Sequence, residues 1–143
     1  MTIVAAIDSS ESAPNIVQEA NELALQFDEE LHILHTMSQS EFIELETQSV
    51  SDTGQPIEMD QIREMAGSIA DDAAKDAGVD SYEAVGTVGE ASDEIVDYAN
   101  DVNAKYIVIG GKKRSPAGKA IFGSVTQSTL LKAGRPVLVV MTS

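Results

Sequence analysis

Five short apolar runs punctuate the chain, at residues 2–7, 31–36, 82–88, 105–110 and 136–141, and each reads as a β-strand. Several are apolar at almost every position, as strands of a parallel sheet covered on both faces tend to be. The stretches between them carry helical periodicity. Ile62, Met65, Ala66, Ile69, Ala70, Ala73 and Ala74 fall at i, i+3, i+4, i+7, i+8, i+11 and i+12, a full amphipathic stripe. A helix over about 12–27 turns Ile16, Ala20, Leu23 and Phe27 inward and tolerates Pro14 in its first turn. A third, over about 91–102, buries Ile95, Ala99 and Val102, and a fourth follows Gly123 to about Ala133. Residues 37–57 are polar, acidic and without a clear period, which predicts a mobile loop.

Strands and helices therefore alternate, and right-handed crossovers turn that order into an α/β fold. The expectation is a doubly wound, mostly parallel, Rossmann-like sheet of five strands in the order 3-2-1-4-5, with helices on both faces and residues 1–143 forming one domain. Such a sheet has a switch point between strands 1 and 4, where crossovers leave to opposite faces and a ligand crevice opens at the carboxyl ends of the strands. The 37–57 segment would lie near it.

Charge adds a direction to this picture. All 24 acids lie at or before Asp101, opposed there only by Arg63 and Lys75, whereas residues 105–143 carry seven cations and no acid. The net charge of −15 argues against unspecific binding to nucleic acid or to an anionic membrane, while the basic segment is an address for a small anion. The acidic excess also suits a surface adapted to a salt-rich cytoplasm, where the Debye length shrinks to about 3 Å at 1 M. That reading expects a halophilic source. There is no cysteine, which excludes disulfides and thiol chemistry, and the opening MTIVAAIDSS is too short an apolar run for a leader or a membrane span. The expected location is cytoplasmic.

The chemistry-bearing residues cluster at the predicted crevice. In IGGKKRSPAGKAIFGSV, residues 109–125, Gly110 and Gly111 end a strand and Gly123-Ser124 opens a helix. Glycines allow a backbone to approach a phosphate, and a helix N-terminus favours an anion by about 0.3–1 kcal/mol. The plainer alternative makes Ser124 an N-cap and leaves Lys112, Lys113 and Arg114 solvated. Asp8, at the end of the first strand, either accepts hydrogen bonds from a ribose or adenine or caps the first helix, the commoner role. Thr36, ending the second strand, either offers backbone groups to a base edge or is simply a bare strand end, the default explanation. His32 and His35, three apart on an apolar strand, face opposite sides of the sheet and read as packing residues, and no metal site is evident.

Taken together, IVAAIDSSESA, LHILHT, VGTVGEASDEIVDYA and GSVTQSTLLKAGRPVLVV resemble the universal stress protein family over nearly the whole chain. The family's fold is of the adenine nucleotide alpha hydrolase-like type. Its ATP-binding members carry G-x2-G-x9-G-[ST]; here Gly110, Gly123 and Ser124 match, and Lys113 stands where the pattern has its second glycine. The lysine either blocks close approach of the backbone or replaces the lost contact with a charge. The resemblance implies ATP, with or without Mg²⁺, as ligand, with Asp8 on the adenosine side, Thr36 contacting adenine and Gly110, Lys113, Gly123 and Ser124 at the phosphates. It also implies a regulator that binds nucleotide, is not primarily an enzyme, and forms a homodimer through the edge strand Pro136 to Met141.

Rival readings lack their essential residues. A receiver domain needs an acidic pair after strand 1 and an aspartate after strand 3, and Asp8 stands alone while residues 86–90 supply no aspartate. A flavodoxin needs aromatic rings over its flavin, and the chain has no Trp. The remaining alternative is a nucleotide-independent stress and interaction module with a degenerate phosphate loop.

Overall fold

The computed structural model describes residues 1–111 and 122–141. Five strands, β1 (Thr2–Ile7), β2 (Glu30–Met37), β3 (Glu83–Val88), β4 (Ala104–Gly111) and β5 (Val137–Met141), form one sheet in the order β3-β2-β1-β4-β5. Every pairing is parallel. This is the expected doubly wound order, and the expected strands match within a residue at each end. Five helices connect them: α1 (Ala13–Phe27), α2 (Gln39–Thr53), α3 (Met59–Ala77), α4 (Ala91–Asp101) and α5 (Ser124–Lys132).

The alternation of side chains along each strand divides the core in two. Ile3, Ala5, Leu31, Ile33 and Val108 face α1 and α3, where they meet Ile16, Val17, Ala20, Ala70 and Ala74. Val4, Ala6, Leu34, Ile107 and Ile109 face the opposite side and meet Ile95 and Ala99 of α4. Small residues on the inner stripe of α3 let that helix lie close to the sheet. Gly86 of β3 is the tightest point, with a Cβ there overlapping Arg63 O and Gly67 N.

Two expectations fail. Residues 37–57 are not a loop, because Gln39–Thr53 form α2. The helix begins on a cap signal, Ser38 Oγ accepting from Glu41 N at 3.2 Å, and has no buried residue of its own. Its anchorage is a small cluster in which Phe42 and Leu45 pack on Met37, Ile62 and Ala66. Phe27 does not point into the core either. It lies at the last turn of α1, is 41% exposed, and stacks on Tyr106 with ring centroids 5.8 Å apart. At this last turn the ring is only partly covered by a strand residue, so continuing the stripe no longer means full burial.

The two histidines lie on opposite faces, as their spacing requires. His32 Nδ1 is 2.6 Å from the Tyr98 hydroxyl and its Nε2 is 3.1 Å from Glu83 Oε2. Burial pushes the Tyr98 phenol up to about 12. The carboxylates of Glu83 and Glu30 only accept, so the hydrogen of a neutral His32 ring sits on Nε2 and Nδ1 accepts from the Tyr98 hydroxyl.

Candidate functional site

A crevice of about 590 Å³ opens at the carboxyl ends of β1, β2 and β4, within the size range of small-ligand pockets. Its walls include Asp8, Thr36, Gly110, Gly123 and Ser124, so five of the six expected site residues converge from four separate stretches of chain. The sixth, Lys113, lies outside the described residues, as do its neighbours Lys112 and Arg114.

Asp8 follows β1 directly and is exposed, with its Oδ1 accepting from Ser10 N at 2.9 Å. That bond folds the chain back as an Asx turn, and α1 begins only at Ala13 with Ser12 at its cap position. Asp8 is thus not the helix cap. Thr36 places its hydroxyl 2.9 Å from that of Thr87 on β3, which pins the end of β2 beside the crevice floor.

The crevice is bordered by the starts of four helices, and their caps differ. At α4, Glu90 accepts from Ser92 N, Ser92 Oγ and Asp93 N at 3.3, 2.7 and 2.9 Å. The Ser92 hydroxyl bond is the main reason that the Glu90 carboxyl is held below the usual range. At α2, Ser38 supplies the cap. At α1, Ala13 N donates to Ser10 O and Asn15 N to Ser12 O, and Pro14 between them has no N–H. At α5 the cap position is Gly123, with no side chain, and Ser124 is the first helical residue and not the N-cap. The first amides of α5 therefore depend on partners from outside the helix, and the dipole makes an anion a suitable one.

Local contacts aim that terminus. Thr126, 5% exposed, donates from Oγ1 to Gly110 O at 2.8 Å, tying the first turn of α5 to the end of β4. At Gly110 itself a Cβ would come 2.6 Å from Ile16 Cδ1, another lining atom. The glycine keeps this wall clear.

Three contributors escaped the sequence reading. Ser38 and Glu41 reach the crevice because α2 starts there, and the Ser-x-x-Glu spacing was the available signal. His35 was read as packing. It is 5% exposed and donates from Nδ1 to Ile7 O at 3.0 Å, yet it also lines the crevice, and its buried Nε2 has no hydrogen-bond partner among the described residues. With Nδ1 protonated, Nε2 is an acceptor. The described lining residues include the carboxylates Asp8 and Glu41 and no Lys or Arg. Among the described residues no group of three or more His, Asp or Glu has a metal-binding arrangement.

A five-stranded, doubly wound parallel sheet with a glycine-lined crevice at its switch point defines an α/β protein of the Rossmann-like class. The universal stress protein family model matches residues 1–141. The chain belongs to the universal stress protein family. A universal stress protein from Mycolicibacterium smegmatis is 39% identical over 67 residues, 46% of this chain, and the match spans about half, 51%, of that protein. A universal stress protein structure from Archaeoglobus fulgidus is 31% identical with a TM-score of 0.61, covering 97% of each chain. Another from that organism, solved in complex with dAMP, is 26% identical with a TM-score of 0.56, covering 97% of this chain and 96% of that one. A further universal stress protein, solved with cAMP, is 24% identical with a TM-score of 0.64 and shares the fold over 100% of this chain and 98% of that one. No helix among the described residues is long and apolar enough to cross a membrane.

Proposed function

We propose that this chain binds an adenine nucleotide, ATP, in the crevice between Asp8, Thr36 and the Gly110–Ser124 turn, and acts as a stress-response regulator through that binding. One observation carries the reading: of the four helix starts around the crevice, only α5 begins on a residue without a side chain, and Thr126 holds it against Gly110. Triphosphate at that end places the adenosine toward Asp8 and Thr36. The basic residues Lys112, Lys113, Arg114 and Lys119 lie in sequence between Gly111 and Gly123, where a phosphate tail needs charge. Mg²⁺, where required, would ride on the phosphates. The dAMP and cAMP complexes of the structural relatives support an adenine ligand.

Binding without efficient turnover suits a sensor, because a ligand favouring one conformation shifts the population toward it. Among the described residues the crevice offers carboxylates and a buried histidine acceptor, a set that suits holding a ligand, and the proposal is regulation. A homodimer through β5, in the cytoplasm, completes the proposal. Calorimetric titration with ATP, ADP and AMP in concentrated KCl with Mg²⁺ tests it. Saturable binding, weakened by Gly123→Val, is expected. Indifference of the wild-type protein to all three would remove the nucleotide reading and leave the interaction module.

A further inference from the structure

We propose that Glu41 selects the base, accepting a hydrogen bond from the 6-amino group of adenine and rejecting purines that carry a 6-oxo group. The inference rests on the nucleotide reading and assigns a residue to its base end.

Three observations converge. Glu41 lines the crevice from the first turn of α2, which follows the carboxyl end of β2 after Ser38 alone, whereas α5 starts beyond β4, and β1 lies between β2 and β4 in the sheet. Its carboxylate is held there, since Ser38 Oγ donates to Glu41 Oε1 at 3.1 Å while accepting from Glu41 N at 3.2 Å. The crevice has two ends of opposite preference: uncapped helix amides at Gly123-Ser124, and a fixed carboxylate at Ser38-Glu41. A phosphate is repelled from the second end, which leaves the base to occupy it.

A carboxylate is an acceptor only. Adenine presents an amino donor at position 6, whereas guanine and hypoxanthine present a carbonyl oxygen there. The carboxylate therefore gains a hydrogen bond from adenine and faces an acceptor in the 6-oxo bases. Glu41 is exposed, so what the 6-oxo bases lose is the hydrogen bond itself, without the full desolvation penalty of a buried group.

The test compares ATP with inosine triphosphate, which carries a 6-oxo group and an N1–H in place of the 6-amino group and bare N1 of adenine, and lacks the additional amino group of guanine. A Glu41 that accepts from that N1–H would make wild type bind inosine triphosphate as tightly as ATP, and this outcome overturns the assignment. Calorimetry on the full chain in concentrated KCl should show wild type binding ATP roughly tenfold or more tighter than inosine triphosphate, about 1.4 kcal/mol. In Glu41→Gln the amide can present either an oxygen or an NH₂, so the ratio should fall close to one, mainly through tighter binding of inosine triphosphate. The main-chain cap from Ser38 does not involve the substituted group, and circular dichroism of this variant should match wild type. Glu41→Ala should lose affinity for ATP and leave inosine triphosphate nearly unchanged. A ratio equal in all three proteins overturns the assignment while the nucleotide reading stands. Equal strengthening of both ligands by Glu41→Gln overturns it too, because that outcome puts Glu41 beside the phosphates. Binding of neither ligand by wild type overturns the nucleotide reading and this assignment together.

Discussion

Gly67 of α3 and Gly86 of β3 meet where helix and sheet approach most closely, and the contact is unequal. A Cβ on Gly86 would overlap Arg63 O and Gly67 N and lie 2.9 Å from Ala66 Cβ, whereas one on Gly67 would meet Gly86 N at an ordinary 3.7 Å. Backbone atoms of a packed helix cannot step aside as a flexible side chain can. Gly86→Ala should therefore cost roughly 3 kcal/mol or more. Gly67→Ala, in the interior of a helix with room for the methyl, should gain about 0.5–1 kcal/mol. Urea midpoints of the two variants check the asymmetry, and equal midpoints would contradict it.

At Gly110 the added methyl meets only the far end of a side chain, Ile16 Cδ1 at 2.6 Å, so the outcome should be the reverse. Gly110→Ala should melt close to wild type but displace Ile16 within the crevice, weakening ATP about tenfold. Restored affinity in the double variant with Ile16→Val would locate the cause in that contact. A wild-type affinity in Gly110→Ala would remove the wall from the site.

Tyr98 links stability to alkaline pH. Its phenol has an ordinary value of 10.0 and is raised to about 12 in the fold, chiefly by burial and then by Glu83, Asp101 and Glu30. The folded state holds the proton more tightly than the unfolded chain. The stabilising contribution is therefore complete below pH of about 10 and is lost as pH rises to about 12, and the partial exposure of Tyr98 lets solvent screen it. Tyr98→Phe should remove this alkaline slope. It should also cost about 1–3 kcal/mol at neutral pH by leaving His32 Nδ1 buried without its donor. Melts from neutral to strongly alkaline pH read both effects, and an unchanged slope in Tyr98→Phe would point to another group.

The acidic surface sets the salt response. With 24 acids before Val102 and two cations among them, self-repulsion opposes folding when it is unscreened. The melting temperature should climb steeply with KCl concentration. A profile flat from dilute buffer upward would dismiss adaptation to high salt.

β5 is the edge of the sheet next to β4, and Leu138 and Met141 on it are 38% and 47% exposed, with Leu131 of α5 87% exposed nearby in sequence. An apolar edge left bare invites strand addition. Pairing with the same strand of a second copy would cover it, and light scattering should report about twice the 15.2 kDa mass. Val139→Pro deletes a ladder donor and should shift the mass toward the monomer. A wild-type monomer at micromolar concentration would refute the arrangement.

Most of the fold was legible because its signals are local or periodic. The parallel strands are nearly all apolar, and α3 shows its stripe in full, so order and topology followed from crossover handedness. The convergence of Asp8, Thr36, Gly110, Gly123 and Ser124 was legible for the same reason, since each ends a strand or starts a helix at one end of such a sheet. Where the reading failed, the deciding contact was tertiary. α2 buries none of its own residues and is held through Phe42 and Leu45 by Met37, Ile62 and Ala66, residues from β2 and α3 that no window over 37–57 contains.

By itself, then, the sequence determined the alternation of elements, the strand order and the family, because apolar period and glycine placement act within short stretches of chain. Tertiary structure decided which helix starts are capped by a side chain, since Glu90 and Ser38 make cap bonds while Ser12, although a serine, makes none and Gly123 has no side chain to make one. It also decided that His35 turns its ring to Ile7 O beside the crevice and that Glu41 lines it. Those facts depend on partners 28 residues away in the case of His35 and on the placement of a whole helix in the case of Glu41. Hydrogen-bond direction and helix docking are settled only when distant segments meet.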